Sequence, residues 1–352
     1  MDASVEAQSA SATGSNDDLD LKICVAGVGA IGGAIAARLA STGRNVSVFA
    51  RGHSLEVLRS RGIRLSDARE TVEVTVSVHD RADFGVQDIV FLCVKAGALP
   101  DLVAQILPLI GPDTIVIPAV NGVPWWYFQD EGGRFDGINV DAVDPSATLR
   151  NNLSTRNLVG SVVYMAVHSL SPGVVEALAP HRIVLGELGN RQSARVELVC
   201  SLLSSAGIQA VSSPRIRDDV WTKISANLSS NPISALMDAT LAEVYGAKEL
   251  REIVSTMMRE AILVAACYGA RINADPEKLF ALGSSMGNFK TSMLQDLEVG
   301  RALELDSICD AVLELAGHFD IPMPATRLVL SLLRFKMKRL QRPPQPNISN
   351  VT

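Results

Sequence analysis

A lysine and two asparagines recur at a four-residue interval in Trp221-Thr222-Lys223-Ile224-Ser225-Ala226-Asn227-Leu228-Ser229-Ser230-Asn231-Pro232. Lys223 and Asn227 stand at i and i+4 and so share one helical face, and Asn231 continues the row to the proline. A solvated polar stripe is the plain reading. Against it, Trp221, Ile224 and Leu228 must occupy another face, and asparagine is a poor helix former with little reason to recur. The chemical reading is a substrate site, with an ammonium that donates a proton and amides that orient oxygen atoms.

A second pattern shows what such a site could work with. Lys22 to Arg51 reads KICVAGVGAIGGAIAARLASTGRNVSVFAR. The apolar run Ile23 to Ala26 has the character of a buried parallel strand, helix formers follow, and Asn45 to Phe49 is a second strand. Between strand and helix stand Gly27, Gly29 and Gly32 in the order G-x-G-x-x-G, with Ala30 and Ile31 completing the turn. Gly27 permits the tight turn, Gly29 admits a pyrophosphate to the backbone, and Gly32 lets helix and strand pack closely. The helix N-terminus there offers unpaired N–H groups and a favourable dipole to phosphates. In this strand–helix–strand setting the glycine motif predicts dinucleotide binding. An NAD site usually carries an acid about 20 residues on, for the ribose 2′-hydroxyl. Here the second strand ends Phe49-Ala50-Arg51-Gly52-His53. Arg51 could be an ordinary surface residue, but with no acid present its charged fork suits a 2′-phosphate. The cofactor expected is NADP(H).

Two more strand ends fall in line. Asp88 to Val94 runs into Lys95-Ala96-Gly97, and Thr114 to Val120 runs into Asn121-Gly122. Ligands of open parallel sheets bind beyond the carboxyl ends of the strands, so Arg51, Lys95 and Asn121 should face one crevice. Taken singly, each would pass as a loop residue.

Composition narrows the class. A chain of 352 residues exceeds the usual single domain, and 47% hydrophobic residues supply a sizeable core. The net charge of -6 argues against a nucleic-acid or anionic-membrane partner. The cysteines Cys24, Cys93, Cys200, Cys267 and Cys309 form no C-x-x-C, and His168, His181 and His318 have no metal spacing, so no metal site is expected. Reduced thiols fit a cytoplasmic protein. No run is long enough to span a membrane. Residues 1–20, rich in Ser, Ala and Asp, read as a disordered tail.

The coarse architecture follows: an α/β Rossmann-type N-terminal domain (21–213, NADP-binding), an all-α C-terminal domain (214–341, substrate and catalysis), and a tail at 342–352. Within the first domain, alternation at Val72, Val74, Val76 and Val78 suggests one strand, in a hairpin turned at Asp67-Ala68. Ser161 to Val167 reads as another strand. The cluster Trp125-Trp126-Tyr127-Phe128 either caps the crevice or fills a core, the core being favoured. In the second domain Arg217 to Leu228 is helical, with Pro232 expected to kink or restart it. Ser292 to Phe319 is expected as one long helix. The long apolar helices permit a homodimer.

The glycine turn with Arg51, Val94-Lys95-Ala96, Asn121-Gly122, the K-x-x-x-N-x-x-x-N row and the stretch SMLQDLEVGRALELD together resemble the ketopantoate reductase family, 2-dehydropantoate 2-reductases. The match runs from about Lys22 to Leu340. The resemblance implies a Rossmann domain joined to a helical domain with NADPH in the cleft. It implies Lys223 as general acid, Asn227 and Asn231 near the substrate, Ser292 as a ligand of its carboxylate, and Glu304 in the hydrogen-bond network. Lys95 and Asn121 would lie beside the cofactor, Asn121 close to the nicotinamide. Physical chemistry agrees. Hydride addition to a ketone leaves negative charge on oxygen, which an ammonium stabilises and protonates. Ser292 also opens Ser292-Met293-Leu294-Gln295, an S-x-x-Q capping box. Among the neighbouring acids Asp296, Glu298 and Asp306, charge alone does not single out Glu304.

The segment Trp125 to Arg156 is longer than the family's usual connection and follows Asn121, so it bears on substrate choice. The activity implied is reduction of a 2-oxo acid, ketopantoate first. The alternatives are a bulkier 2-oxo acid or ketone and, from another class, a non-catalytic NADP(H)-binding sensor. Such a sensor would have no use for Lys223, Asn227, Asn231, Ser292 and Glu304 together.

Overall fold

The computed structural model describes residues 20–340, apart from residue 69, residues 179–180 and residues 273–275. The tails expected at 1–20 and 342–352 lie outside the described residues, Asp20 excepted. The N-terminal half begins with β1 (Ile23–Ala26), α1 (Ala30–Ala40), β2 (Val46–Phe49) and α2 (Gly52–Arg61), then β3 (Ile63–Ser66), β4 (Thr71–Val74) and β5 (Ser77–His79). After β6 (Gln87–Leu92) come α3 (Leu99–Ile106) and β7 (Ile110–Pro118). Five strands form one parallel sheet in the order β5-β2-β1-β6-β7. β1 is completely buried, as expected for a central strand covered on both faces. The chain leaves β1 toward β2 on one side and returns to β6 on the other, so the topological switch lies between β1 and β6. The carboxyl ends of the strands open the crevice that Arg51, Lys95 and Asn121 were expected to face.

Past α4 (Thr148–Asn152), β8 (Gly160–Tyr164), β9 (Val167–Ser171), β10 (Val174–Ala177), β11 (Arg182–Gly186), α5 (Ala194–Ser205) and β12 (Gln209–Ser212) build two smaller sheets, β4-β3-β10-β9 and β12-β11-β8. The remainder is helical: α6 (Ile216–Met237), α7 (Leu241–Gly246), α8 (Lys248–Cys267), α9 (Pro276–Ser285), α10 (Ser292–Glu298), α11 (Ala311–Gly317) and α12 (Pro324–Leu340). No helix among the described residues is long and apolar enough to cross a membrane.

Four local expectations are corrected. The alternating run from Val72 to Val78 is two strands in different sheets: β4 pairs antiparallel with β3 across the expected hairpin, whereas β5 lies parallel to β2. Alternation reports a half-buried face without saying which sheet receives it. Ser161 to Val167 likewise breaks between β8 and β9, which join separate sheets. α6 runs unbroken past Pro232. The hydroxyls of Ser229 and Ser230 bond back to the carbonyls of Ser225 and Ala226, each at 2.8 Å, and α8, α10 and α12 pack around the helix. Tertiary packing outweighs the local cost of the proline.

The fourth correction matters most for chemistry. Ser292 to Phe319 is not one helix. α10 ends at Glu298, Gly300 turns with φ +68°, the chain is irregular to Glu304, and a π-helical turn (Asp306–Asp310) leads into α11. The break places Glu304 on irregular backbone facing the crevice instead of on a helix.

The aromatic cluster fills the core, with Trp125, Trp126, Tyr127 and Phe128 each at most 2% exposed. Arg217 and Trp221 of α6 grip it: Arg217 donates to the carbonyls of Tyr127 at 2.7 Å and Gln129 at 2.8 Å, and Trp221 Nε1 donates to Tyr127 Oη at 2.6 Å.

Candidate active site

The glycine turn has the shape its sequence promised. Gly27 has φ +94°, and a Cβ there would lie 2.5 Å from Val94 Cγ1. A Cβ on Gly32 would fall 2.0 Å from the Gly27 carbonyl oxygen, so only glycine lets helix and turn approach this closely. A Cβ on Gly29 would meet nothing within 4 Å, because that position opens to the crevice. The first internal helix bond runs from Gly33 N to Gly29 O, and Gly29 caps α1 with no side chain. The N–H groups of Ala30, Ile31 and Gly32 therefore remain available to an anion. Arg51, exposed at the end of β2, stands one strand away. A glycine cradle, unpaired N–H groups and a cationic strand end fit a dinucleotide. Among the described residues no group of His, Cys, Asp and Glu is placed to hold a metal ion.

Opposite the cradle, α6 presents Lys223. Its Nζ donates to Asn121 Oδ1 at 2.7 Å and to the Val163 carbonyl, and it lies 5.5 Å from the centre of the Tyr164 ring. The Asn121 amide donates in turn to Glu304 Oε2 at 3.4 Å. Asn121 thus bridges an ammonium and a carboxylate, its oxygen facing the one and its nitrogen the other. Burial lowers the Lys223 pKa to about 8, opposed by the negative charge of Glu304. Burial raises the Glu304 carboxyl above its ordinary range, opposed by the Asn121 hydrogen bond and the Lys95 charge. An amine titrating close to neutrality is matched to proton transfer.

Lys95 is paired within the protein. Its ammonium crosses the crevice to Asp296 Oδ2 and to the Ala302 carbonyl, both at 2.8 Å. Asn227 is half-buried, with no hydrogen-bond partner among the described residues, and Asn231 is buried, accepting from Ser230 Oγ at 3.2 Å. Ser292 is exposed at the first turn of α10 and does not cap it. Thr291 is the cap: its Oγ1 accepts from Leu294 N at 3.1 Å and donates to Ser234 Oγ at 3.0 Å. That last bond ties the start of α10 to α6, three residues beyond Asn231. The S-x-x-Q box is not formed, because Gln295 pairs with His168 at 2.8 Å and with the Lys290 carbonyl.

The family model described as Ketopantoate reductase PanE/ApbA matches residues 23–190, and its C-terminal counterpart matches residues 215–337. The chain belongs to the ketopantoate reductase family. It is 40% identical over 316 residues, 89% of this chain and 97% of the relative, to a 2-dehydropantoate 2-reductase from Mesorhizobium japonicum. A crystal structure named for ketopantoate reductase, from Ralstonia solanacearum MolK2, superposes with a TM-score of 0.86 at 36% identity, covering 91% of this chain and 98% of that one. A D-mandelate dehydrogenase bound to NADH and anilino(oxo)acetate shares the fold, with a TM-score of 0.79 at 21% identity and coverage of 92% and 100%.

As a ketopantoate reductase family member the chain is an oxidoreductase acting on CH–OH. Its family fold, a Rossmann-type unit followed by helices, is the one expected. Sequence reasoning missed the partners that complete the crevice. Asp296, the Val163 carbonyl and the Tyr164 ring lie far along the chain from the groups they touch, and no local pattern marks them. His168, assigned no role, meets Gln295 one residue before Asp296.

Proposed function

We propose that this enzyme reduces a 2-oxo acid to the 2-hydroxy acid with NADPH, ketopantoate to pantoate being the first choice. The observation that carries the reading is the bridge Lys223–Asn121–Glu304 beside the glycine cradle. A bound reduced nicotinamide supplies hydride to the ketone carbon. Lys223 faces the ketone oxygen, stabilises the developing charge and donates the proton. Asn227, Asn231 and the Ser292 hydroxyl at the start of α10 hold the carboxylate oxygens. Glu304 keeps Asn121 oriented and favours the charged form of Lys223. Gly27, Gly29, Ala30, Ile31 and Gly32 receive the pyrophosphate, with Asn121 near the nicotinamide. Lys95 joins the cofactor side of the crevice while held by Asp296. Arg51 supports NADPH over NADH. The name of the Mesorhizobium relative supports ketopantoate as substrate.

A second reading, a bulkier 2-oxo acid, draws on one feature. Trp126, in the segment Trp125 to Arg156, lines a cavity beside Lys223 with Val120, Pro124, Val162 and Ile224. The D-mandelate dehydrogenase neighbour is bound to anilino(oxo)acetate, an N-aryl oxamate with the outline of an aryl 2-oxo acid. We also infer a homodimer; the Staphylococcus aureus ketopantoate reductase that shares the fold (TM-score 0.68) is named as dimeric.

The deciding experiment follows oxidation of NADPH and of NADH with a panel of 2-oxo acids and their esters. Ketopantoate giving the highest kcat/KM supports the first choice. An aryl 2-oxo acid ahead of it supports the second. Reduction of esters as fast as acids would overturn both.

A further inference from the structure

Asn121 must hold two opposite charges at once, yet its own side chain has two rotatable bonds and sits on a loop. What restrains it is the next residue. Gly122 has φ +87°, and a Cβ there would lie 2.4 Å from the Ser307 carbonyl oxygen and 2.7 Å from Ser307 Cβ. Val123 N donates to that same carbonyl at 2.8 Å. Ser307 is buried in the π-helical turn that begins two residues after Glu304, and Ile308 N bonds back to the Glu304 carbonyl at 3.1 Å. The two short segments, 121–123 and 304–307, therefore touch twice. One contact is side chain to side chain, Asn121 to Glu304, and the other is backbone to backbone, Gly122 and Val123 to Ser307. A π turn is an uncommon backbone shape that recurs at functional sites. Here it turns the Ser307 carbonyl toward the loop carrying Asn121.

We propose that Gly122 and Ser307 are positioning residues whose backbone contact sets where Asn121 lies between Lys223 and Glu304. The proposal rests on the reading of Lys223 as the acid. Neither residue reaches the reacting atoms; both act through Asn121. A glycine is required because the left-handed φ and the carbonyl contact each exclude a side chain. The ionisable groups that face this arrangement are Tyr164 from β8, Lys95 after β6, Asp296 from α10, and the Lys223–Glu304 pair itself. Moving the loop off Ser307 would draw Asn121 from Glu304 and leave the ammonium less well supported.

The test is a double-mutant cycle between Gly122→Ala and Asn121→Ala, read as kcat with saturating 2-oxo acid and NADPH. Alone, Gly122→Ala is expected to lower kcat roughly 10- to 100-fold, the scale of a misplaced catalytic contact. NADPH affinity, measured by fluorescence, should stay within about 3-fold, and the alkaline limb of the kcat profile should move to lower pH. In the Asn121→Ala background the same substitution should cost less than about 3-fold, since the group it displaces is gone. Ser307→Gly, which adds no atom and only loosens the turn, covers the case in which Gly122→Ala does not fold. It should give a smaller loss that also vanishes without Asn121. Losses that multiply in the double variant, or an unchanged pH profile, overturn the proposal. Failure of the underlying reading looks different: Lys223→Ala would then keep its turnover whatever Gly122 does.

Discussion

Lys223 on α6 and Asn121 after β7 are 102 positions apart in the chain and 2.7 Å apart in the fold. Their contact explains how a cation survives in a buried place. An ammonium has three N–H donors. Asn121 and the Val163 carbonyl take two, and the third has no acceptor among the described residues. The same contact couples the two halves of the molecule, because Asn121 also reaches Glu304.

Removing the ammonium should remove the chemistry but not the fold. Lys223→Ala is expected to bind NADPH normally and to lose roughly 10²–10⁴ in kcat, the range for a lost general acid. Stopped-flow and steady-state kinetics with cofactor-binding fluorescence check this. A kcat close to wild type would discard Lys223 as the acid.

The pH profile follows from the depressed lysine. Reduction needs Lys223 protonated, so kcat should be level below a pH of about 8 and fall about tenfold per unit above it. Glu304 raises the Lys223 pKa by its charge. Glu304→Gln should therefore shift the alkaline limb to lower pH as well as slow turnover. A limb that stays in place would show that the carboxylate does not act on the lysine.

Cofactor choice turns on Arg51. One lost charge-assisted contact costs roughly 1.5–3 kcal/mol, so Arg51→Ala should weaken NADPH about 10- to 100-fold and leave NADH little changed. Titration by cofactor fluorescence separates the cases, and equal losses for both would make Arg51 structural.

The structure divides two roles that the sequence had merged at the start of α10. Thr291 caps the helix, so Thr291→Ala should lower stability by about 1 kcal/mol. Ser292 is released from capping, so Ser292→Ala should leave the melting temperature unchanged and raise KM for the acid substrate alone. Melting curves beside kinetics on the acid and its ester provide the check. A rise in KM for the ester too would mean that Ser292 does not read the carboxylate.

Some of this protein is local chemistry and was legible along the chain. The turn at Gly27, Gly29 and Gly32 requires glycine for backbone reasons that a few neighbouring residues express, and the built contacts at Gly27 and Gly32 bear them out. The i, i+4 row on α6 is likewise a property of helical periodicity, and the crevice at the strand ends follows from a parallel sheet. Other features depend on neighbours distant in sequence. Pro232 was expected to kink or restart α6, but the helix does not restart there, with α8, α10 and α12 packed around it. The alternating valines from Val72 to Val78 told of half-burial, and only sheet pairing assigned β4 and β5 to different sheets. Glu304 could not be chosen from its acidic neighbours by charge. It was selected by the break at Gly300 and the π turn after it, which together aim one carboxylate at Asn121. Sequence pattern thus determined the parts whose geometry a few adjacent residues dictate. Tertiary structure decided which buried charges face one another, because desolvation and hydrogen-bond partners are set by packing across the crevice.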